Sequence, residues 1–301
     1  MNILVMGAGS IGSLFGGLLS LDNDVTLIGR KPHMKKIEEK GLKIVGKTDV
    51  VVYPKVACNP REIKLEPDVI LLTVKSYDTE RAICDIKDLI TEGTMIMSLQ
   101  NGLDNLEKIL SHVKKENVVA AVTTEAAMLL EPGVVEHTGK GKTVLGHLGD
   151  DAKKVKPIVD TFNRAGLRAT ISTNIQRDIW RKAIVNSCIN PVTAIFGIRN
   201  GKILESETLQ DLVERVCKES TSVANSMGMN FDLSEMKEEV FRVIRDTANN
   251  YSSMVQSLRR KSRTEIDSIN GYICNTGKKN GVDVTLNELL TKFIKIMEVY
   301  K

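Results

Sequence analysis

Gly7-Ala8-Gly9-Ser10-Ile11-Gly12 carries the GxGxxG spacing that cradles phosphates, between an apolar run and a helical pattern. In that frame the first glycine permits a tight turn and the second lets backbone approach a pyrophosphate. The third packs helix on strand, with the phosphates at the helix N-terminus. A second constellation lies far along the chain, where Lys182, Asn186 and Asn190 recur at intervals of four in IWRKAIVNSCINPVTAIFG. On a helix they share one face, drifting ~40° per step over ~12 Å. Neighbours such as Ile184, Val185, Cys188 and Ile189 predict a largely buried helix, on which three polar side chains are costly without partners. A solvent-facing edge would carry Glu or Gln rather than two asparagines, which are poor helix formers. Pro191 removes a further backbone hydrogen bond. Local costs gathered in one place mark a functional face.

Smaller signals accompany these two. The second apolar strand ends in Gly29-Arg30, where a fold reading NAD would place an acidic residue for the ribose hydroxyls. An arginine there suits a 2′-phosphate through bidentate contacts, with Lys31 and His33 adding positive potential, and favours NADPH over NADH. Lys75 and Asn101 stand at the carboxyl ends of two further strands, the position at which open α/β sheets bind ligands. In Asn249–Gln256 a polar interruption places Asn250 and Ser253 three apart, on one face if helical. Ser262-x-x-Glu265 has the spacing of a capping box, which spacing alone favours over any catalytic role.

These residues need elements to hold them. Strands are expected at Asn2–Met6, Asp24–Ile28, Val69–Val74, Thr94–Leu99 and Val118–Val122, with helices over Ile11–Leu19 and near Thr79–Ile90. Gly133–Glu136 and Thr143–Leu148 look like an antiparallel pair, and Gly166–Ser172 is the last segment of strand character. Continuous apolar runs such as VILLTV are buried on both faces, as parallel strands are. From Gln176 the texture turns helical, with helices expected over 176–196, 202–227, 234–260, 263–280 and 286–299. The fold class is α/β: a Rossmann-like doubly wound sheet over 1–173, then an all-α domain over 174–301.

Composition narrows the functions. The 301 residues are 42% hydrophobic and 27% charged, which is globular and excludes disorder. Lys+Arg 42 against Asp+Glu 38 gives a net charge of +4, mild and evenly spread, and aromatics are 4%, so nucleic acid is not an expected partner. The apolar runs are too short for a membrane span or a signal peptide. Five dispersed cysteines without CxxC argue against a disulfide framework and a metal knuckle. A cytoplasmic protein without metal is the expectation.

The segments GAGSIG, GR after the second strand, VKSYDT, LQNGLDN, EPGVVEHTGKG, WRKAIVNSCINPVTA, NNYSSMVQ and TEIDSINGYI run in one order across nearly the whole chain. Together they resemble the ketopantoate reductase family (2-dehydropantoate 2-reductases). Glu125 stands where some members carry His, and Ser257 where Asp is common. The resemblance implies NADPH-dependent reduction of 2-dehydropantoate to (R)-pantoate in pantothenate and coenzyme A biosynthesis, NADH being the other candidate cofactor. It implies Lys182 as general acid, protonating the C2 oxygen as hydride arrives. Asn101, Asn186, Asn190 and Asn250 would bind substrate by hydrogen bonds, and Ser253 its carboxylate. Glu265 would orient Lys182 beside the reacting oxygen. The fingerprint residues (Gly7, Ala8, Gly9, Ser10, Ile11, Gly12) with Arg30, Lys75, Asn101 and Glu265 would meet the cofactor. The chemistry agrees, since an ammonium stabilises and then protonates alkoxide charge. The alternatives are a 3-hydroxyacid dehydrogenase-like enzyme, a related reductase of another branched 2-keto acid, or a non-catalytic NADPH sensor. A homodimer is compatible with the apolar helical half.

Overall fold

The computed structural model describes residues 1–149 and 151–300. Its contacts divide the chain into two compact units: Met1–Gln100 with Asn105–Asp178, and Asn101–Asp104 with the chain from Ile179 on. The strands of the first unit are β1 (Asn2–Met6), β2 (Asp24–Ile28), β3 (Leu42–Gly46), β4 (Val50–Val52), β5 (Lys55–Ala57) and β6 (Val69–Leu72). They continue with β7 (Met95–Ser98), β8 (Val118–Thr123), β9 (Ala126–Glu131), β10 (Val134–Gly139), β11 (Thr143–His147) and β12 (Ala169–Ile171). Its helices are α1 (Ser10–Leu19), α2 (Lys31–Lys40), α3 (Thr79–Ile86), α4 (Asn105–Leu110) and α5 (Ala152–Arg164).

One sheet runs β12-β11-β8-β7-β6-β1-β2-β5. From β8 through β7, β6, β1 and β2 to β5, neighbours pair in parallel. Side chains alternate between its faces. Ile3, Val5, Val69 and Leu71 share a core with Phe15 of α1 and Phe162 of α5, whose rings lie 5.7 Å apart. Leu4, Met6, Ile70 and Leu72 share another with Ala82, Ile83 and Ile86 of α3. Burial on both faces explains the unbroken apolar strands.

A second sheet, β4-β3-β10-β9, escapes the sequence reading and corrects it. β10 does not pair with β11: it runs antiparallel to β9 and parallel to β3, while β11 pairs with β8 and β12. The cause is the turn at Gly133, whose φ of +85° closes β9 onto β10. In this region Glu125 Oε2 meets His137 Nε2 at 2.8 Å, both side chains buried, and Thr48 Oγ1 meets His137 Nδ1 at 2.9 Å.

The division between the units falls within α6 (Ile175–Phe196), which is followed by α7 (Glu207–Ser226), α8 (Leu233–Asp246), α9 (Ser253–Arg259), α10 (Asn270–Lys279) and α11 (Thr285–Val299). Ile184, Cys188 and Val192 of α6 anchor the second unit's core. The helix expected over 234–260 is two, because Asn249 to Ser252 offer local hydrogen bonds that compete with the helix. Ser252 caps α9 instead, accepting from Val255 N at 3.3 Å. Likewise 202–227 opens with a 3-10 turn, Asn200–Glu205, and 263–280 with another, Ile266–Ser268. The capping box is absent, since no α-helix starts at Ser262. Its hydroxyl donates to Ser257 O at 3.0 Å, and the Glu265 side chain makes no capping bond.

Among the described residues, no helix is long and apolar enough to cross a membrane.

Candidate active site

In the fingerprint each glycine meets a different constraint. Gly7 has φ +108°, and a Cβ there would lie 2.6 Å from Val74 N. A Cβ on Gly12 would lie 2.4 Å from both Gly7 O and Thr73 Oγ1. Gly9 is the opposite case: its φ is −88°, and the nearest atom to an added Cβ is Gly7 O at 3.9 Å. The protein's own packing therefore requires glycine at 7 and 12 but not at 9. The space above Gly9 is what a pyrophosphate laid on the backbone would occupy. The first turn of α1 holds no acidic residue and no capping side chain, which leaves its N-terminal dipole to an anion. These features fit a dinucleotide. Ala8 is buried, Ile11 half-buried, and Ser10 accepts from Leu129 N at 3.0 Å. Thr73, which the sequence reading missed, donates to Gly7 O at 2.8 Å and pins the loop. Its only signal was its place just after β6.

Arg30 is exposed two residues past the end of β2, at the N-cap of α2. His33 does not join it in a positive patch. It is buried, its Nδ1 accepts from Gly133 N at 2.9 Å, and its Nε2 lies 2.9 Å from Ser13 Oγ. Accepting at Nδ1 fixes the neutral ring with its proton on Nε2, and burial holds its pKa below the usual histidine range. Its role is to tie α2 to α1. Lys75 is exposed ahead of a 3-10 turn, Ser76–Asp78. Nearby, Gln100 Nε2 donates to Val74 O at 2.9 Å and Thr79 Oγ1 at 2.7 Å, joining the strand ends of β6 and β7.

The second unit holds the other set. Lys182, Asn186 and Asn190 do share α6, and Pro191 lies within that helix. Lys182 keeps some exposure as a residue, but its charged end is desolvated. Burial lowers its pKa to about 8, against the upward pull of the Glu265 carboxylate. Glu265 is itself buried, just ahead of the turn Ile266–Ser268. Asn190 is buried and Asn186 half-buried. Asn250 and Ser253 do not share a helical face, because Asn250 precedes the cap of α9 and Ser253 is its first residue. Both are exposed, while Ser252 is held by Thr193 Oγ1 at 2.9 Å. Asn101, half-buried after β7, belongs by its contacts to this second unit. A desolvated ammonium beside a carboxylate and amides is equipped to protonate a developing oxyanion.

Known proteins resemble the chain throughout its length. The family description "Ketopantoate reductase PanE/ApbA" matches residues 3–150, and its C-terminal counterpart matches 174–298. A 2-dehydropantoate 2-reductase of Pyrococcus horikoshii is 41% identical over 300 residues, covering 99% of this chain and 98% of the relative. One from Halobacterium salinarum is 33% identical over 99% of both chains. The crystal structure of a PanE/ApbA family ketopantoate reductase from Ralstonia eutropha JMP134 superposes with a TM-score of 0.92 at 29% identity, covering 100% of this chain and 99% of that one. A D-mandelate dehydrogenase solved with NADH and anilino(oxo)acetate gives 0.94 at 31% identity, with the same coverage.

Proposed function

Since the chain belongs to the ketopantoate reductase family, we propose that it reduces 2-dehydropantoate to (R)-pantoate with NADPH, in the cytoplasm, for pantothenate and coenzyme A biosynthesis. The observation that carries this reading is the desolvated Lys182 ammonium within the field of Glu265, on the helix of Asn186 and Asn190. Residues 1–173 act as the dinucleotide domain and 174–301 as the substrate and catalytic domain.

When held by the fingerprint loop, the dinucleotide would supply the hydride that reduces the C2 carbonyl. The chain's own residues do the rest. Gly7 and Gly12 shape the turn, Gly9 leaves room for the pyrophosphate, and Arg30 pairs with the 2′-phosphate. Lys75 and Asn101 assist at the strand ends. Asn186, Asn190 and Asn250 orient the substrate by hydrogen bonds, and Ser253 takes its carboxylate. The proton leaves Lys182 Nζ for the C2 oxygen as alkoxide charge develops. Glu265 keeps that nitrogen protonated and aimed. Hydride and proton together complete the alcohol.

One steady-state assay tests substrate and cofactor together. NADPH with ketopantoate is expected to turn over fastest, ahead of 2-ketoisovalerate and of an aryl 2-keto acid of the kind the mandelate dehydrogenase suggests. In the same assay Arg30→Ala raises the KM for NADPH at least tenfold, with little change for NADH. Equal effects on both cofactors would remove Arg30's role. Preference for the aryl acid would move the chain to another 2-keto acid.

A homodimer is the finer expectation for assembly. Leu289, Phe293, Ile296 and Tyr300, spaced 4, 3 and 4 along α11 and its end, are 44% to 84% exposed. This stripe would form the apolar core of a standard interface of ~800 Å² per partner. Sedimentation of the purified chain, against a 33.3 kDa protomer, reads it directly.

A further inference from the structure

Pro191 leaves one carbonyl of α6 without its helical donor. In an α-helix the N–H of residue 191 would bond the carbonyl of residue 187, and proline has no N–H. Asn270 fills the gap from another element: its Nδ2 donates to Ser187 O at 3.0 Å. The same Nδ2 lies 3.0 Å from Asn287 Oδ1. Asn287, fully buried on α11, donates in turn to Glu219 Oε2 at 2.9 Å, and Glu219 also accepts from Leu286 N at 2.9 Å. Asn270 thus bridges α6 and α11, and Asn287 ties that link to α7.

Asn270 ends the short strap that carries Glu265. Thr264 N donates to Glu298 Oε1 at 2.6 Å, at the strap's start. In the middle, Ser268 Oγ donates to Asp104 Oδ2 at 3.1 Å, and Ser268 O accepts from Leu103 N at 2.8 Å. Of these anchors, the Asn270 bond is the one made to the helix of Lys182, five residues and ~7.5 Å of rise away.

We propose that Asn270 is a positioning residue: by occupying the Ser187 carbonyl that Pro191 leaves open, it fixes the strap on α6 and so sets Glu265 against Lys182. A buried amide at that point, its Nδ2 bonded twice and its Oδ1 without a partner, costs more than an apolar contact would, and the register it specifies is the return. Lys182 senses this register because Glu265 is the charged group whose field raises its pKa.

The catalytic consequence rests on Lys182 being the general acid, so the test reads ionisation separately from turnover. The probe is the full chain labelled with ¹³Cε-lysine, the Lys182 resonance being assigned by its loss in Lys182→Ala. Asn270→Ala is expected to move the Lys182 midpoint downward and to cut kcat about tenfold, with dinucleotide affinity unchanged. Pro191→Ala in the same chain restores a helical donor to Ser187 O, so the double variant regains thermal stability while keeping the shifted midpoint. An unshifted midpoint in Asn270→Ala overturns the proposal. So does a double variant that recovers both stability and midpoint, since Asn270 would then merely satisfy a carbonyl. The double variant also serves as the test protein should Asn270→Ala alone not fold. Unimpaired turnover in Lys182→Ala would instead remove the general-acid reading, leaving the midpoint measurement valid.

Discussion

Replacing Lys182 by alanine is expected to cut turnover on the order of 10³-fold, ~4 kcal/mol of transition-state stabilisation. Hydride addition turns a neutral carbonyl into an alkoxide, so a cation at that oxygen is worth more in the transition state than in the ground state. Desolvation raises that difference, because charge interactions strengthen where water is scarce. It also brings the Lys182 pKa to about 8, close enough to neutrality for efficient proton transfer. The variant should keep its dinucleotide affinity, since the glycine fingerprint is built within the first unit. Stopped assays of kcat beside a fluorescence titration of NADPH separate the two effects. A near-normal kcat in Lys182→Ala would remove the assignment. Weakened NADPH binding in equal proportion would point to a structural role.

Gly9→Ala and Gly12→Ala are expected to fail in different ways. At Gly9 the backbone φ of −88° suits any residue, and an added methyl meets no protein atom closer than 3.9 Å. Stability should hold within about 0.5 kcal/mol. The methyl would stand where the pyrophosphate approaches, so dinucleotide affinity should fall roughly 10- to 100-fold, the ~1–3 kcal/mol of an overpacked contact. At Gly12 the methyl strikes Gly7 O and Thr73 Oγ1 at 2.4 Å, and the bond from Thr73 to the loop must shift. That variant should lose melting temperature as well as binding. Thermal melts and NADPH titrations of both variants decide the matter, and unchanged affinity in Gly9→Ala would contradict the cradle.

What the sequence displays depends on how local the cause is. β1 and β2 are read residue for residue because buried parallel strands are continuous apolar runs, and a fingerprint is a local turn chemistry. The stripe on α6 is legible for the same reason, as helical period is local. β9 is not, since Ala126 to Glu131 lacks alternation and finds its edge only through the turn at Gly133. The role of His33 depends on Ser13 and Gly133, the latter a hundred residues away, so composition read a charge where the fold keeps a neutral ring. Glu265 matched a capping spacing that a 3-10 turn overrides. Asn270 and Ser187 are joined across 83 residues by a proline's missing donor, a reason no window of sequence contains.

The most direct measurement of the central claim is kcat/KM for ketopantoate against pH, which reports the ionisation of the enzyme before substrate binds. If the Lys182 ammonium delivers the proton, the rate holds near neutrality, bends at about pH 8, and falls tenfold per unit above it. The sign follows from the acid form being the active one: raising pH through the lysine's pKa removes the proton that reduction consumes. A profile that stays flat through the alkaline range, or rises there, would contradict it.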